Sequence, residues 1–298
     1  MSNTIITLLT DFGESDYFVG SMKGIILSIN KNITVVDISH AIEPFNIDSG
    51  AFVLASSYRH FPSGTVHLAV IDPGVGSSRR PILIEAGGFY FIGPDNGLFS
   101  FVVARETDYR AYHLNKSEYF RSEVSPTFHG RDIFAPVAGA LSQGILPHEI
   151  GTEINDVSTL VKNQSLFPRR IPEDIEEGKH TQGALPSQDY ECQIIHVDHF
   201  GNCITNFTIN DLPADFPREK VVVIIGTREI NGLRQFFSDD ERETGQEFVY
   251  WGSSSHLEIG VNRGNAARHL GLQMGEKLIV RLKSHFYTSA NLALLVSE

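Results

Sequence analysis

One stretch constrains the fold of this chain more than any other: Val66-His67-Leu68-Ala69-Val70-Ile71-Asp72-Pro73-Gly74-Val75-Gly76-Ser77-Ser78-Arg79-Arg80. Its first half is an apolar run broken by His67 alone, the pattern of a strand buried on both faces of a parallel sheet. Asp72 follows where that strand ends, and Pro73, Gly74 and Gly76 turn the chain away. In open α/β sheets, ligands bind just beyond the carboxyl ends of strands. A carboxylate delivered there, with Arg79 further round the same loop, is a candidate for chemistry. The competing reading is that Asp72 caps the turn and Arg79 is solvated.

The flanking sequence supplies the rest of such a sheet. Residues 5–10 read as a first strand, turned by Asp11-Phe12-Gly13, and Ser15 is the expected cap of a helix over 16–29. Val19, Met22, Ile26 and Ile29 give that helix its apolar face. A strand over 33–38 and a helix over 47–58 precede the central strand. The order strand–helix–strand–helix–strand predicts an α/β, Rossmann-like domain, a mostly parallel sheet sandwiched by helices. A hairpin is expected around Gly87-Gly88, a tight turn at 93–97 with a helix starting near Leu98, and a helix over 132–141 with Pro136 in its first turn.

Composition changes near residue 166. Residues 168–188 carry three prolines and a block of acidic residues without apolar periodicity, which reads as a linker. Beyond it, short strands are expected over 191–197, 203–207, 221–225, 248–251, 257–261 and 277–282, as in a small β-barrel. The predicted organisation is an N-terminal α/β domain (1–166), a linker (167–189) and a C-terminal β-barrel domain (190–298).

Formal net charge is −12, which argues against nucleic acid or an anionic membrane surface as a partner. No apolar run approaches the ~20 residues that cross a bilayer, and the N-terminus lacks the basic and apolar regions of a signal peptide. A cytoplasmic protein is expected. Cys192 and Cys203 are too few for a disulfide scaffold or zinc knuckle.

Three further constellations can carry chemistry. Asp11 ends a strand, where a carboxylate accepting two hydrogen bonds suits the vicinal hydroxyls of a ribose; capping the next helix is the plainer role. Thr127-Phe128-His129-Gly130-Arg131-Asp132 joins an imidazole to a glycine that permits close approach of a ligand. It offers no H-x-x-x-H or H-E-x-x-H spacing, so no metal site is expected. Asp198-His199-Phe200-Gly201-Asn202 presents an Asn whose donor and acceptor suit an adenine edge, with a β-turn as the competing reading. Gly252-Ser253-Ser254-Ser255 and Asn262-Arg263-Gly264-Asn265-Ala266-Ala267 offer backbone N–H groups to a carboxylate, or are ordinary loops.

Taken in order, these segments resemble the SAM hydroxide adenosyltransferase family, the S-adenosyl-L-methionine (SAM) hydrolases related to fluorinase and chlorinase. The matching pieces are Leu9-Thr10-Asp11-Phe12-Gly13 with Asp16, Met22-Lys23-Gly24, Ile71-Asp72-Pro73-Gly74-Val75-Gly76 with Arg79, and Gly93-Pro94-Asp95-Asn96-Gly97. Phe128-His129-Gly130-Arg131-Asp132, Asp198-His199-Phe200-Gly201-Asn202 and Gly264-Asn265-Ala266-Ala267 complete the series. The resemblance implies hydrolysis of SAM to adenosine and methionine by a homotrimer, each site lying between the N-domain of one subunit and the C-domain of its neighbour. SAM is then the substrate, and no cofactor is implied. Carried over by position, Asp72, Arg79 and His129 form the catalytic set. Asp11 meets the ribose, Asp16 and Asp198 the methionine amine, Asn202 and Phe237 the adenine, and Ser253 the methionine carboxylate. The chain departs from the pattern at Ser254-Ser255-His256, where the family has a glycine.

The resemblance also frames the rivals. Halogenase relatives carry hydroxyl-bearing residues where this chain has Asp72 and Gly130, together with an insertion after the Pro-Gly turn. A halide is repelled by a carboxylate, so Asp72 favours water. Two more rivals are a non-enzymatic protein that binds SAM or adenosine and a metal-dependent phosphohydrolase.

Overall fold

The computed structural model describes residues 4–160, 167–172, 184–185, 187–214, 216–231, 233–234, 244–283 and 285–286. Two compact units divide the chain, Met1–Lys162 and Asn163–Glu298. Among the described residues, no helix is long and apolar enough to cross a membrane.

The first unit is built on a seven-stranded sheet of β1 (Thr4–Thr10), β2 (Ile33–Ser39), β3 (Val66–Val70), β4 (Pro81–Ala86), β5 (Phe89–Pro94), β6 (Tyr109–Leu114) and β7 (Gly151–Ile154). Their spatial order is β2-β1-β3-β5-β4-β6-β7. Only half of this sheet is parallel. The β1–β2, β1–β3 and β3–β5 pairs are parallel, whereas β4 with β5, β4 with β6 and β6 with β7 are antiparallel. The expected mostly parallel sheet thus gives way beyond β5, because the hairpin turn at Gly87-Gly88 leaves no room for a crossover helix.

Period-two alternation buries both faces. Val66, Leu68 and Val70 face α1 (Phe18–Ile29) and, after the short helices α2 (Ile47–Ser57) and α3 (Ser100–Arg105), α4 (Ala135–Ser142); their core includes Met22, Ile26, Val137 and Leu141. Ala69 and Ile71 face the other way, into a core with Leu54 of α2 and Val102 of α3. Asn46 caps α2 by accepting from Ser49 N–H at 3.0 Å. At α1 the expected cap fails: the helix starts at Phe18, Tyr17 holds the cap position without a side-chain bond, and Ser15 is exposed. Packing of Val19, Met22 and Ile26 sets that start, rather than a hydroxyl.

Among its described residues the second unit is mostly β, with one α-helix, α6 (Ala266–Leu270), which follows α5 (Pro147–Ile150) of the first unit in the chain. Its strands are β8 (Arg169–Arg170), β9 (Ala184–Leu185), β10 (Gln188–Val197), β11 (Cys203–Thr208), β12 (Val221–Ile225), β13 (Arg228–Ile230), β14 (Leu233–Arg234), β15 (Glu247–Trp251), β16 (His256–Val261), β17 (Lys277–Leu282) and β18 (His285–Phe286). The main sheet follows β13-β12-β17-β10-β11-β16-β15-β14. Long β10 pairs with β17 over its first half and with β11 over its second, which curls the sheet into a half-barrel. Alternate residues such as Val221, Val223, Leu257, Ile259, Leu278 and Val280 fill its concave core. Arg169 and Arg170 of the expected linker pair with Glu191 and Tyr190, so they belong to this sheet. Most of the remaining linker lies outside the described residues.

Candidate active site

Parallel pairing of β1 with β3 sets Thr10 beside Val70. The residues that follow, Asp11 and Asp72, therefore leave adjacent strands at the same edge. With β2 on one side of β1 and β3 on the other, this is the point where strand order reverses and where open sheets leave a crevice.

The loop after β3 folds back on itself. Val75 N–H donates to Asp72 O (3.2 Å), Ser77 N–H to Gly74 O (3.0 Å), and Arg79 N–H to Ser77 Oγ (3.2 Å). Gly76, at φ 77°, is required at this turn, since a Cβ there would meet Pro126 O at 2.3 Å. The return brings Arg79 Nε within 3.0 and 2.9 Å of the two Asp72 oxygens, and its Nη2 also contacts Oδ2. Arg79 Nη2 lies 2.9 Å from His129 Nδ1, and its guanidinium carbon lies 5.3 Å from the Phe134 ring centre. The Arg79 and Asp72 side chains are 9% and 4% exposed. Arg79 Nη1 is buried without an acceptor. The three residues expected to act together are in contact.

A guanidinium only donates, so His129 Nδ1 must accept and the neutral ring carries its proton on Nε2. Burial, then the Arg79 charge, lowers the His129 pKa; Asp72 and Asp132 oppose this without reversing it. The ring leads into a π-helical turn, Gly130–Phe134. Gly130 is buried, and a Cβ there would lie 3.1 Å from Met22 Sδ and 3.5 Å from the Phe12 ring. The absent side chain lets Met22 and two aromatic rings pack close against this turn. Asp132 is fully buried and accepts from Arg131 Nε (2.7 Å) and Nη2 (2.9 Å), Arg121 Nη1 (3.2 Å) and Ser125 N–H (2.9 Å). It ties the His129 turn to the segment whose Pro126 carbonyl abuts Gly76. The acidic residue of the motif thus holds two loops in register.

Asp11 Oδ2 accepts from Phe45 N–H at 2.8 Å. Burial raises the Asp11 pKa and the Asp72 charge adds to it, against the hydrogen bonds from Phe45 and from its own backbone. Phe45 adopts φ 69°, rare for a bulky residue, and is 69% exposed. No sequence signal marked Phe45, because its role runs through its backbone. Asp16 is exposed in the turn before α1.

In the second unit, Asp198 and Asn202 satisfy each other. Asn202 N–H donates to Asp198 Oδ1 and its Nδ2 to Oδ2, both at 2.8 Å, closing the β-turn that competed with a ligand role in the sequence. Asn202 is 4% exposed and commits one amide N–H to that pair. Gly201 sits at φ 86° against Asn265, and Ala267 N–H donates to Gly201 O at 2.9 Å. Two motifs distant in sequence therefore form one corner. The N–H groups of Asn262, Gly264 and Ala267 are spent on Gln246, Val261 and Gly201 carbonyls, so of the segment that the sequence offered either as carboxylate donors or as an ordinary loop these three are not free. Gly252 N–H and Ser255 N–H are likewise used within their own turn. Ser253 is exposed, and Ser255 at φ 64° holds the left-handed conformation that a glycine adopts more readily, which accounts for the glycine expected there. Phe237 lies outside the described residues. Among the described residues, no group of three or more His, Cys, Asp or Glu side chains is arranged to hold a metal ion.

Comparison with known proteins adds an independent line. Residues 6–151 match the SAM hydroxide adenosyltransferase N-terminal domain, and residues 192–279 match the C-terminal domain of the same family. An (R)-S-adenosyl-L-methionine hydrolase of Methanocaldococcus jannaschii is 34% identical over 90% of this chain and 92% of its own length. One from Thermus thermophilus is 33% identical over 91% and 96%. A fluorinase of Nocardia brasiliensis is 26% identical over 93% and 97%. Among solved structures, an uncharacterized conserved protein from Thermotoga maritima superposes with a TM-score of 0.78 at 32% identity, over 92% of this chain and 99% of that one.

Proposed function

The chain belongs to the SAM hydroxide adenosyltransferase family, and from that premise we infer that it hydrolyses SAM to adenosine and L-methionine. The observation that carries the mechanism is the contact of Asp72, Arg79 and His129 beyond the carboxyl end of β3.

In this reading a water oxygen attacks the ribose C5′ in line with the sulfonium. The C5′–O bond forms, the C5′–S bond breaks, sulfur keeps the bonding pair, and methionine leaves as a neutral thioether. Neutral His129 presents Nε2–H, so its task is to donate to the water and orient it. Asp72 accepts the water proton, on an oxygen with a lone pair left beside the Arg79 fork. Arg79 fixes both partners. Base assistance of this kind contributes about 10²–10⁴-fold. Alignment of oxygen, carbon and sulfur supplies up to ~7–11 kcal/mol, so positioning is the larger effect. Asp11 serves it by gripping the ribose hydroxyls. The sulfonium is already an activated leaving group, so the reaction as read uses no metal or cofactor.

The same reading assigns Asp16 and Asp198 to the methionine amine, Asn202 and Phe237 to the adenine, and Ser253 to the methionine carboxylate, in a homotrimer where a neighbouring subunit supplies the C-terminal residues. It also takes the first unit as a Rossmann-like variant and the second as a small β-barrel. The fluorinase relatives raise halide as a rival nucleophile; the Asp72 carboxylate at the point of attack favours water. Purified protein incubated with SAM should release adenosine and methionine in equal amounts. Accumulation of a 5′-halo nucleoside when chloride or fluoride is supplied would instead establish the halogenase, and tight nucleoside binding without turnover would establish a binding protein.

A further inference from the structure

Beneath Asp11 runs a series of polar side chains that the reaction does not use. Thr10 is fully buried and His40 is 4% exposed, each at the carboxyl end of its strand. Phe12 N–H donates to Thr10 Oγ1 at 3.3 Å, and the same hydroxyl pairs with His40 Nδ1, 2.8 Å away. A carboxylate only accepts, and Asp37 Oδ1 lies 3.1 Å from His40 Nε2, so the neutral ring carries its proton on Nε2 and Nδ1 accepts from the Thr10 hydroxyl. Lys23 Nζ donates to Asp37 Oδ2 at 2.6 Å. Burial raises the Asp37 pKa, but Lys23 and then His40 more than offset it, holding the carboxyl below its ordinary value. Every N–H and O–H of the series faces the same way, toward one ionised carboxylate.

His40 grips the Asp11 turn a second time through its backbone, where its carbonyl accepts from Gly13 N–H at 2.8 Å. Gly13, at φ 68°, has nothing packed on the side where a Cβ would stand, so this bond rather than packing fixes it. Thr10, Phe12 and Gly13, the residues around Asp11, are therefore all tied to His40, directly or through Thr10. The Asp11 carboxylate itself is tied to Phe45 N–H, in the loop that begins at His40.

We propose that His40, acting through Thr10, is a positioning residue that fixes the Asp11 carboxylate for a cis-diol and thereby sets a preference for ribose over 2′-deoxyribose. The proposal rests on the reading of Asp11 as the ribose group. A carboxylate grips two hydroxyls at once only when its plane is held, and a side chain on a turn is held no better than the turn's own backbone. Loss of the Thr10–His40 link should therefore cost the ribose, with its two hydroxyls, more than the sugar with one.

Affinities of the full chain for adenosine and 2′-deoxyadenosine, measured by calorimetry, test this. The wild type should prefer adenosine by about tenfold or more, and Asp11→Asn should remove that preference. Thr10→Val and His40→Ala should each reduce the preference at least about threefold while changing 2′-deoxyadenosine affinity less than about twofold. His40→Asn, whose amide reaches Thr10 as Nδ1 does, should restore it. If Asp11→Asn removes the preference but Thr10→Val and His40→Ala leave it intact, or weaken both nucleosides alike, His40 is merely structural. No preference in the wild type, or no effect of Asp11→Asn, overturns the ribose reading together with the proposal. Should His40→Ala fail to fold, Thr10→Val, which barely changes side-chain volume, and His40→Asn decide the matter.

Discussion

Two imidazoles in the first unit, His67 and His129, are both pushed toward the neutral form by burial, yet they live in opposite surroundings. His67 stands in the middle of β3 with no exposed surface. Its ring stacks on Phe91 at 5.2 Å, meets Tyr58 and Phe61 edge-on, and has Thr7 Oγ1 2.7 Å from Nδ1. Burial alone drives its pKa to about 3. His129 lies instead against a guanidinium, with carboxylates opposing the shift. Uncharged rings make an imidazole a core residue with no part in proton chemistry near neutrality. A charged neighbour fixes the tautomer and aims the remaining N–H, which under the proposed mechanism is the group that orients water.

The largest effect expected from this contrast concerns stability in acid. The His67 pKa is depressed in the folded state, so between about 6.5 and about 3 the unfolded chain binds the extra proton. The stabilisation is complete above pH 6.5 and is lost as pH falls through that window, by about 4–5 kcal/mol in all. Urea unfolding at stepped pH should show this slope in the wild type and a flatter one in His67→Leu. An unchanged slope in that variant would place the proton elsewhere and break the contrast.

Next in size is turnover. Arg79→Ala should lower kcat/KM about 10³-fold, or about 4 kcal/mol, because it frees both Asp72 and His129. Asp72→Ala should cost a similar amount, and the double variant little more, as expected of groups that act as a unit. His67→Leu should stay within about twofold of wild type at pH 7. Steady-state kinetics with SAM distinguishes the two classes.

The pH dependence of activity sharpens the comparison further. Only neutral His129 accepts from Arg79, and its pKa lies below the ordinary 6.5. The acid limb of kcat/KM should therefore have its midpoint below pH 6.5, falling about tenfold per unit beneath it. Arg79→Gln, which removes the repelling charge, should move that midpoint upward in whatever activity remains. Smallest of all, Thr7→Val should cost about 1–3 kcal/mol of stability by stranding His67 Nδ1, with turnover unaffected.

Much of this site was legible in the sequence, and the misses share a cause. Asp72, Arg79 and His129 could be read because each is a chemically distinctive side chain in a motif, and the structure brings them into contact. Asp11 was singled out in the sequence, but not the loop that holds it, since Phe45 contributes a backbone N–H that no residue type advertises. Asp198 and Asn202 could be read as a turn or as a ligand site, and their side-chain pairing closes the turn. The carboxylate of the His129 motif looked like part of the chemistry, whereas Asp132 spends itself on four donors.

Local chemistry was determined by the sequence alone: period-two apolar runs made strands, Gly76 made the turn that returns Arg79, and residue types placed a carboxylate beyond a buried strand. Strand direction beyond β5, the start of α1 at Phe18 and the neutral tautomer of His129 were decided by the tertiary structure. Those outcomes depend on which distant groups share a low-dielectric neighbourhood, and that proximity is a property of the packed chain rather than of any segment within it.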